Sequence, residues 1–170
     1  MKYTMLIVIA AAGLAAPLNA QPLIASTFPA RVLAAQNVLR SQVALPPMAW
    51  DPQLAQGAAL WAAHLAATNQ FQHSDRKARP GIGENLMEGT RGAYSVEAMV
   101  AVWAAERANF RPGIFPNVSR TLNWYDVSHY TQVIWPQTRR VGCAIGSNST
   151  TDYLVCRYSP KGNVDGRKVP

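Results

Sequence analysis

The sequence predicts an α+β domain, with helices in the first two thirds of the chain and an antiparallel sheet in the last third. Three observations predict it. Apolar residues recur at three- and four-residue steps in Ala-rich stretches around Trp61 and Trp103. Two strand-like runs, "RVGCAIG" and "YLVCRY", flank the turn-rich "SNSTTD". The helical segments precede the strands and do not alternate with them, which favours segregated helices and sheet over a parallel βαβ array. The 170 residues, 49% hydrophobic and 15% charged, suffice for one domain with a buried core.

Taken in order, the chain opens on a targeting segment. Lys2 is followed by the uncharged run Met5 to Pro17, too short to span a bilayer with confidence, and Ala20 precedes the best cleavage point. An exported protein is expected, in a periplasm or outside the cell. The alternative is an uncleaved N-terminal anchor. No other run is long enough to cross a membrane. The first helix is expected from near Pro29 to Arg40, with Thr27 as its cap. Asp51 and Pro52 open a second helix, buried along Leu54, Ala58, Trp61, Ala62 and Leu65. Ser95 caps a third, with Val96, Met99, Val100, Trp103 and Arg107 on one face. The run "SHYTQVIW" fits two periods. Thr131, Val133 and Trp135 alternate as on a strand, whereas His129, Gln132 and Val133 share a helical face, with Asp126 or Ser128 as cap and Pro136 as stop.

The two cysteines, Cys143 and Cys156, suit a disulfide in an exported chain. A hairpin centred on Ser149 and Thr150 sets them directly opposite each other, within bonding reach. Closing so short a loop contributes on the order of 3 kcal/mol. The net charge is +7, and loss of Lys2 with the leader leaves about +6. Such a field favours anionic lipid head groups or cell-envelope polymers, or serves solubility alone. No nucleic-acid module is present in the sequence pattern.

There are three histidines. His64 lies inside the second helix and reads as a surface residue. His73 sits in a polar loop, and His129 opens an ordered element. Glu84 lies between Gly83 and Asn85, where a tight backbone would fix its side chain. Glu106 ends the third helix, where the dipole disfavours an acid, so a partner is expected. Glu88 and Asp75 read as solvated loop acids. The sequence has no HExxH helix, GxSxG elbow or phosphate loop. Two histidines and two glutamates that converge would form either a metal site or a buried hydrogen-bonded network.

In order along the chain, "QNVLR", "MAWDPQLAQGAALWA", "HS", "GENL", "WAAE", "SHYTQVIW…VGCAIG" and "VCRYSPKGN" resemble the motifs of the CAP superfamily of cysteine-rich secretory proteins, antigen 5 and pathogenesis-related 1 proteins. The resemblance spans about Pro29 to Gly166 and divides the chain into a signal peptide (1–20), an extension (21–28), the domain (29–166) and a tail (167–170). It implies a three-layer α-β-α sandwich with a small antiparallel sheet, and a helix beginning at "SHYTQ". It also implies that His73, Glu84, Glu106 and His129 line one cleft, that the histidines bind zinc or another divalent metal, and that Tyr130 and Gln132 support the cleft. Ser128 stands for the family's usual glycine, Gln36 for a frequent histidine, and Arg157 and Lys161 for Asn and Pro in the second motif. The chain lacks a cysteine-rich extension.

Three functions follow as expectations. One is a secreted binding module with a metal-binding cleft and a lipid or anionic cell-envelope ligand. Another is a metal-assisted peptidase or esterase with Glu84 or Glu106 as base, although no clear nucleophile accompanies them. The third is a structural domain without turnover.

Overall fold

A computed structural model describes residues 27–170, so the expected leader lies outside the described residues. Helix α1 spans Phe28–Ser41, strand β1 Ala49–Trp50, helix α2 Pro52–Thr68, strand β2 Gly83–Thr90, helix α3 Val96–Ala105 and strand β3 Gly113–Ile114. Helix α4 spans Ser128–Val133, followed by β4 Arg140–Ser147, β5 Thr151–Ser159 and β6 Lys168–Val169. The main sheet has the order β1-β4-β5-β2, and β3 pairs with β6 in a separate ribbon.

The hairpin takes the register that the sequence predicts. Cys143 faces Cys156 across β4 and β5, and the two form a disulfide. Strand β2 joins antiparallel to β5, with Glu84 opposite Arg157. One pairing departs from an all-antiparallel sheet: β1 runs parallel to β4. This strand has only two residues, too few for a period. Its place is set by the approach to α2, where the Asp51 N–H donates to the Val141 carbonyl at 2.9 Å.

Two cores lie on opposite faces of the sheet. Alternation along β5 sends Tyr153 and Val155 toward Ala58, Ala62 and Leu65 of α2. It sends Leu154, Cys156 and Tyr158 toward Val32, Met99, Trp103 and Ile134 on the helical layer of α1, α3 and α4. The result is helix–sheet–helix. Helix α2 lies directly on the backbone of β4. A Cβ at Gly142 would sit 2.1 Å from the Ala55 nitrogen, and one at Gly146 would sit 2.3 Å from the Ala62 oxygen.

Helix α2 starts as its sequence dictates: the Asp51 carboxylate accepts from the N–H groups of Gln53 and Leu54, with Pro52 in the first turn. The Ser95 hydroxyl caps α3 by accepting from Ala98. Thr27 occupies the N-cap position of α1 but makes no side-chain cap bond. Trp61 is only partly buried, because it lies at the margin of α2 and its indole N–H reaches the Gln72 carbonyl. Arg107 is exposed: the α-helix ends at Ala105, and a 3-10 turn over Glu106–Ala108 rotates Arg107 off the buried face toward Gln42. Glu88 is exposed but belongs to β2 and not to a loop. Among the described residues, no helix is long and apolar enough to cross a membrane.

Arg40 is fully buried near the end of α1, without a carboxylate partner among the described residues. Its guanidinium donates to the carbonyls of Pro46, Val133, Trp135 and Thr138. Burial, and secondarily the nearby Arg139, lower its pKa to about 10, so it stays charged at neutral pH. Replacement of Arg40 by Leu removes the donor to four carbonyls, three of them in buried contacts, and is expected to cost about 3 kcal/mol or more. Arg40→Lys fails similarly, because one ammonium cannot reproduce the planar fork. Urea unfolding midpoints check both, and a loss under about 1 kcal/mol would contradict the assignment. Gly142→Ala is expected to cost about 3 kcal/mol by forcing α2 off the sheet, measured the same way.

Candidate functional site

The free edge of the sheet at β2 borders an open cleft of about 830 Å³, lined in part by His73, Glu84, His129 and Gln132. The loop after α2 brings His73 to it, and the start of α4 brings His129.

Each histidine is tied to a glutamate. His73 Nδ1 lies 3.0 Å from Glu84 Oε1, and His129 Nδ1 lies 2.5 Å from Glu106 Oε1. A carboxylate accepts, so each Nδ1 carries a proton, and in the neutral ring the free lone pair is then on Nε2. Neither Nε2 has a partner among the described residues. The two glutamates thus orient the imidazoles, as carboxylates behind histidine ligands do.

Glu84 is the most heavily bonded group of the site. Its side chain is fully buried, whereas that of His73 is 52% exposed. The N–H and Oγ of Ser74 both donate to it, at 2.9 and 2.6 Å. Arg79 and Arg157 approach at 3.8 and 3.4 Å. Arg79 also donates to the Ser74 hydroxyl, which fixes the hydroxyl's proton on Glu84. Burial is the strongest influence and pushes the Glu84 carboxyl up. The bonds from His73 and Ser74 and the charge of Arg79 together outweigh it and hold the pKa at about 2.

Glu106 has a different task from the one expected of it. It is not among the residues lining the cleft. One oxygen accepts from the backbone N–H groups of both His129 and Tyr130, each at 2.9 Å, and the other holds the imidazole. It therefore caps α4 from another element. Asp126 and Ser128 do not cap it: Asp126 bonds Thr121 and Asn123, and the Ser128 hydroxyl donates to the Tyr125 carbonyl. The acid at the end of α3, unfavourable for that helix, is favourable at the start of the next.

Gln132 is buried behind the cleft. Its Oε1 accepts from Gly162 N–H and its Nε2 donates to the Thr138 hydroxyl. A Cβ at either Gly83 or Gly162 would collide with this amide. Tyr130 departs from the expected cleft support. Its ring is buried on the other side of α4, edge-on to Phe110, and borders a separate pocket of about 410 Å³ with Arg107 and Arg120. One helical position turns the side chain by about 100°, so the neighbours His129 and Tyr130 face different ways. His64 lies outside the cleft, exposed and stacked on Trp61.

Sequence reasoning missed Ser74, Arg79, Asn85 and Arg157 as site residues. Asn85 Nδ2 donates to the His129 carbonyl and to the Tyr158 hydroxyl, which in turn donates to Gln36. The register of β2 on β5 was the available signal for Arg157, since it puts Glu84 opposite an arginine.

The description "Cysteine-rich secretory protein family" belongs to the CAP family model that matches residues 33–158, and the chain belongs to this family. A pathogenesis-related PR-1 type protein of Sambucus nigra is 32% identical over 146 residues, covering 85% of this chain and 83% of the relative. Pathogenesis-related protein 1A of Nicotiana tabacum is 35% identical, over 79% of this chain and 76% of its own. Among solved structures, the crystal structure of NaASP2 with Zn2+ superposes with a TM-score of 0.67 at 26% identity, over 81% of this chain and 82% of that one.

A carboxyl whose folded pKa lies below its unfolded value stabilises the fold above the unfolded pKa and loses that contribution as pH falls through the folded one. For Glu84 the window runs from about pH 4.5 down to about pH 2, and the contribution at stake is about 3 kcal/mol. Thermal unfolding of wild type and Glu84→Gln across pH 7 to 2 checks this. The margin of wild type over the variant is expected to be full near neutrality and to vanish near pH 2. A constant margin would contradict it.

Proposed function

We propose that this protein is a secreted binding module whose cleft takes a divalent metal through His73 and His129 and engages an anionic cell-envelope ligand. The observation that carries the reading is the pair of His–Glu contacts, which commit both Nδ1 atoms and leave both Nε2 atoms as donors to a metal. The donor set fits a site with two imidazole ligands and water in the remaining positions. Among the described residues, no group of three or more His, Cys, Asp or Glu is arranged to hold a metal. Such a site is exchangeable and unlike a closed structural centre. The glutamates would stay behind the ligands and keep the rings oriented. When bound, zinc or a similar ion would supply a positive, Lewis-acidic point that attracts an anionic group of the ligand. The solution of NaASP2 with Zn2+ supports the reading, as does membership of a secretory family.

Isothermal titration with zinc tests it. Wild type is expected to bind one ion, and the His73→Ala, His129→Ala double variant to bind at least roughly tenfold more weakly. Chelator treatment is expected to leave the fold intact, because the metal closes no core. Equal zinc binding by wild type and double variant would reject the site.

A further inference from the structure

The cleft has a rim that neither the histidines nor the glutamates explain. On one side Trp124 and Tyr125 stack at 3.9 Å between ring centroids. The buried Phe115 ring meets Trp124 edge-on at 5.1 Å and fixes it from below. Tyr125 is nonetheless 65% exposed, and its neighbour Leu122 86%. This is an anchored aromatic ledge left open to water. The cleft is also lined by Arg76 and Lys161, both exposed. Neither side chain makes an ion pair or hydrogen bond among the described residues. Arg79 and Arg157 neutralise Glu84. The remaining carboxylate in the lining is Asp165, so the free charge of the cleft is net positive.

Unpaired cations in a concave site attract an anion, and an exposed aromatic face attracts an apolar ring face. A free phosphate would use the cations and leave the ledge idle. A lipid tail would need an enclosed apolar pocket, whereas these walls carry imidazole, guanidinium and amide groups. A flat bilayer would meet the exposed rim and leave the concave lining between its walls unused. We infer that the cleft takes a segment of an anionic polysaccharide, with sugar rings packed on the Trp124–Tyr125 ledge and their carboxylate or sulfate groups paired with Arg76 and Lys161. The inference rests on the cleft being the binding site, as proposed above, and not on the metal.

The probes are polygalacturonate oligomers for the carboxylate, dextran sulfate for the sulfate and dextran as the neutral chain, followed by intrinsic tryptophan fluorescence with and without chelator. Vesicles of phosphatidylglycerol and phosphatidylcholine complete the set. Wild type is expected to bind at least one anionic polymer and not dextran, with affinity that falls as salt rises. The Arg76→Ala, Lys161→Ala double variant is expected to bind about tenfold more weakly and with a shallower salt dependence. Tyr125→Ala is expected to weaken binding about fivefold with the salt dependence unchanged. All three side chains are exposed, so the variants are expected to keep the wild-type unfolding midpoint, which is measured alongside. Chelator and the His73→Ala, His129→Ala variant are expected to leave polymer binding in place. If they abolish it, the metal holds the ligand and the rim assignment is overturned. Zinc binding that is equal in wild type and the His73→Ala, His129→Ala variant, with polymer binding retained in both, would sink the metal reading alone. Binding of dextran as tight as that of the anionic chains, no response to the rim substitutions, or partition onto the anionic vesicles with no polymer binding would each overturn the inference, the last assigning the rim to a membrane.

Discussion

Helix α4 has six residues, and a helix that short does not persist on its own. It carries His129 and Gln132, so everything at the cleft depends on how it is held. Glu106 accepts two backbone N–H groups at its start. Arg40 donates to the Val133 and Trp135 carbonyls at its end. An anion at the N-terminus and a cation at the C-terminus satisfy part of the unpaired backbone groups of each end and match the helix dipole. Both come from other elements, the 3-10 turn that follows α3 and the helix α1. The short helix is therefore a product of tertiary structure, fixed only when the layer around it has formed.

The sides of the helix are pinned as well. The Thr131 hydroxyl donates to Asn163 Oδ1, while Asn163 Nδ2 donates to the Ser128 carbonyl. Asn163 has a positive φ of 53°, a conformation that asparagine tolerates better than most residues. Ser128 at the family's usual glycine position has a right-handed backbone, φ −66° and ψ −35°, which any residue adopts. The substitution thus costs the helix start nothing. From the opposite face of the sheet edge, Asn85 holds the His129 carbonyl. The imidazole is left with one freedom, rotation about its own bonds, and Glu106 removes it.

What was legible in the sequence was local or periodic. Asp51 before Pro52 announced α2, because the cap and its two acceptor bonds lie within four residues. The disulfide followed from a two-strand register around one turn, which alternation alone sets. The α2 stripe was readable except at Trp61, where a period gives direction but not depth. The two histidines and two glutamates stood out by type and setting. Arg40 did not: its partners lie up to 98 residues away, and nothing in "NVLRS" separates a buried arginine from a surface one. Glu106 was readable as needing a partner, but not as the cap of the next helix. The difference is physical. Propensity, caps and alternation act within a turn or a hairpin, whereas a buried charge is permitted only by carbonyls that the completed fold aims at it.

The disulfide and the cleft meet in one buried network. Gln36 touches both sulfurs at 3.6 and 3.7 Å and accepts from the Tyr158 hydroxyl, which accepts from Asn85. Burial raises the Tyr158 pKa well above its ordinary value, so its hydroxyl keeps the proton that Gln36 needs. Asn85 then spends its remaining donor on the His129 carbonyl. A buried chain of this kind is stable only when every member is satisfied, and no described side-chain atom that is fully buried lacks a partner. The glutamine that stands where many relatives carry histidine therefore supplies what the network requires, an amide that accepts from one hydroxyl and donates toward the sulfurs. A change at Gln36 would reach His129 through two hydrogen-bonded side chains without touching the cleft, which ties the orientation of the site to the packing of the core beneath it.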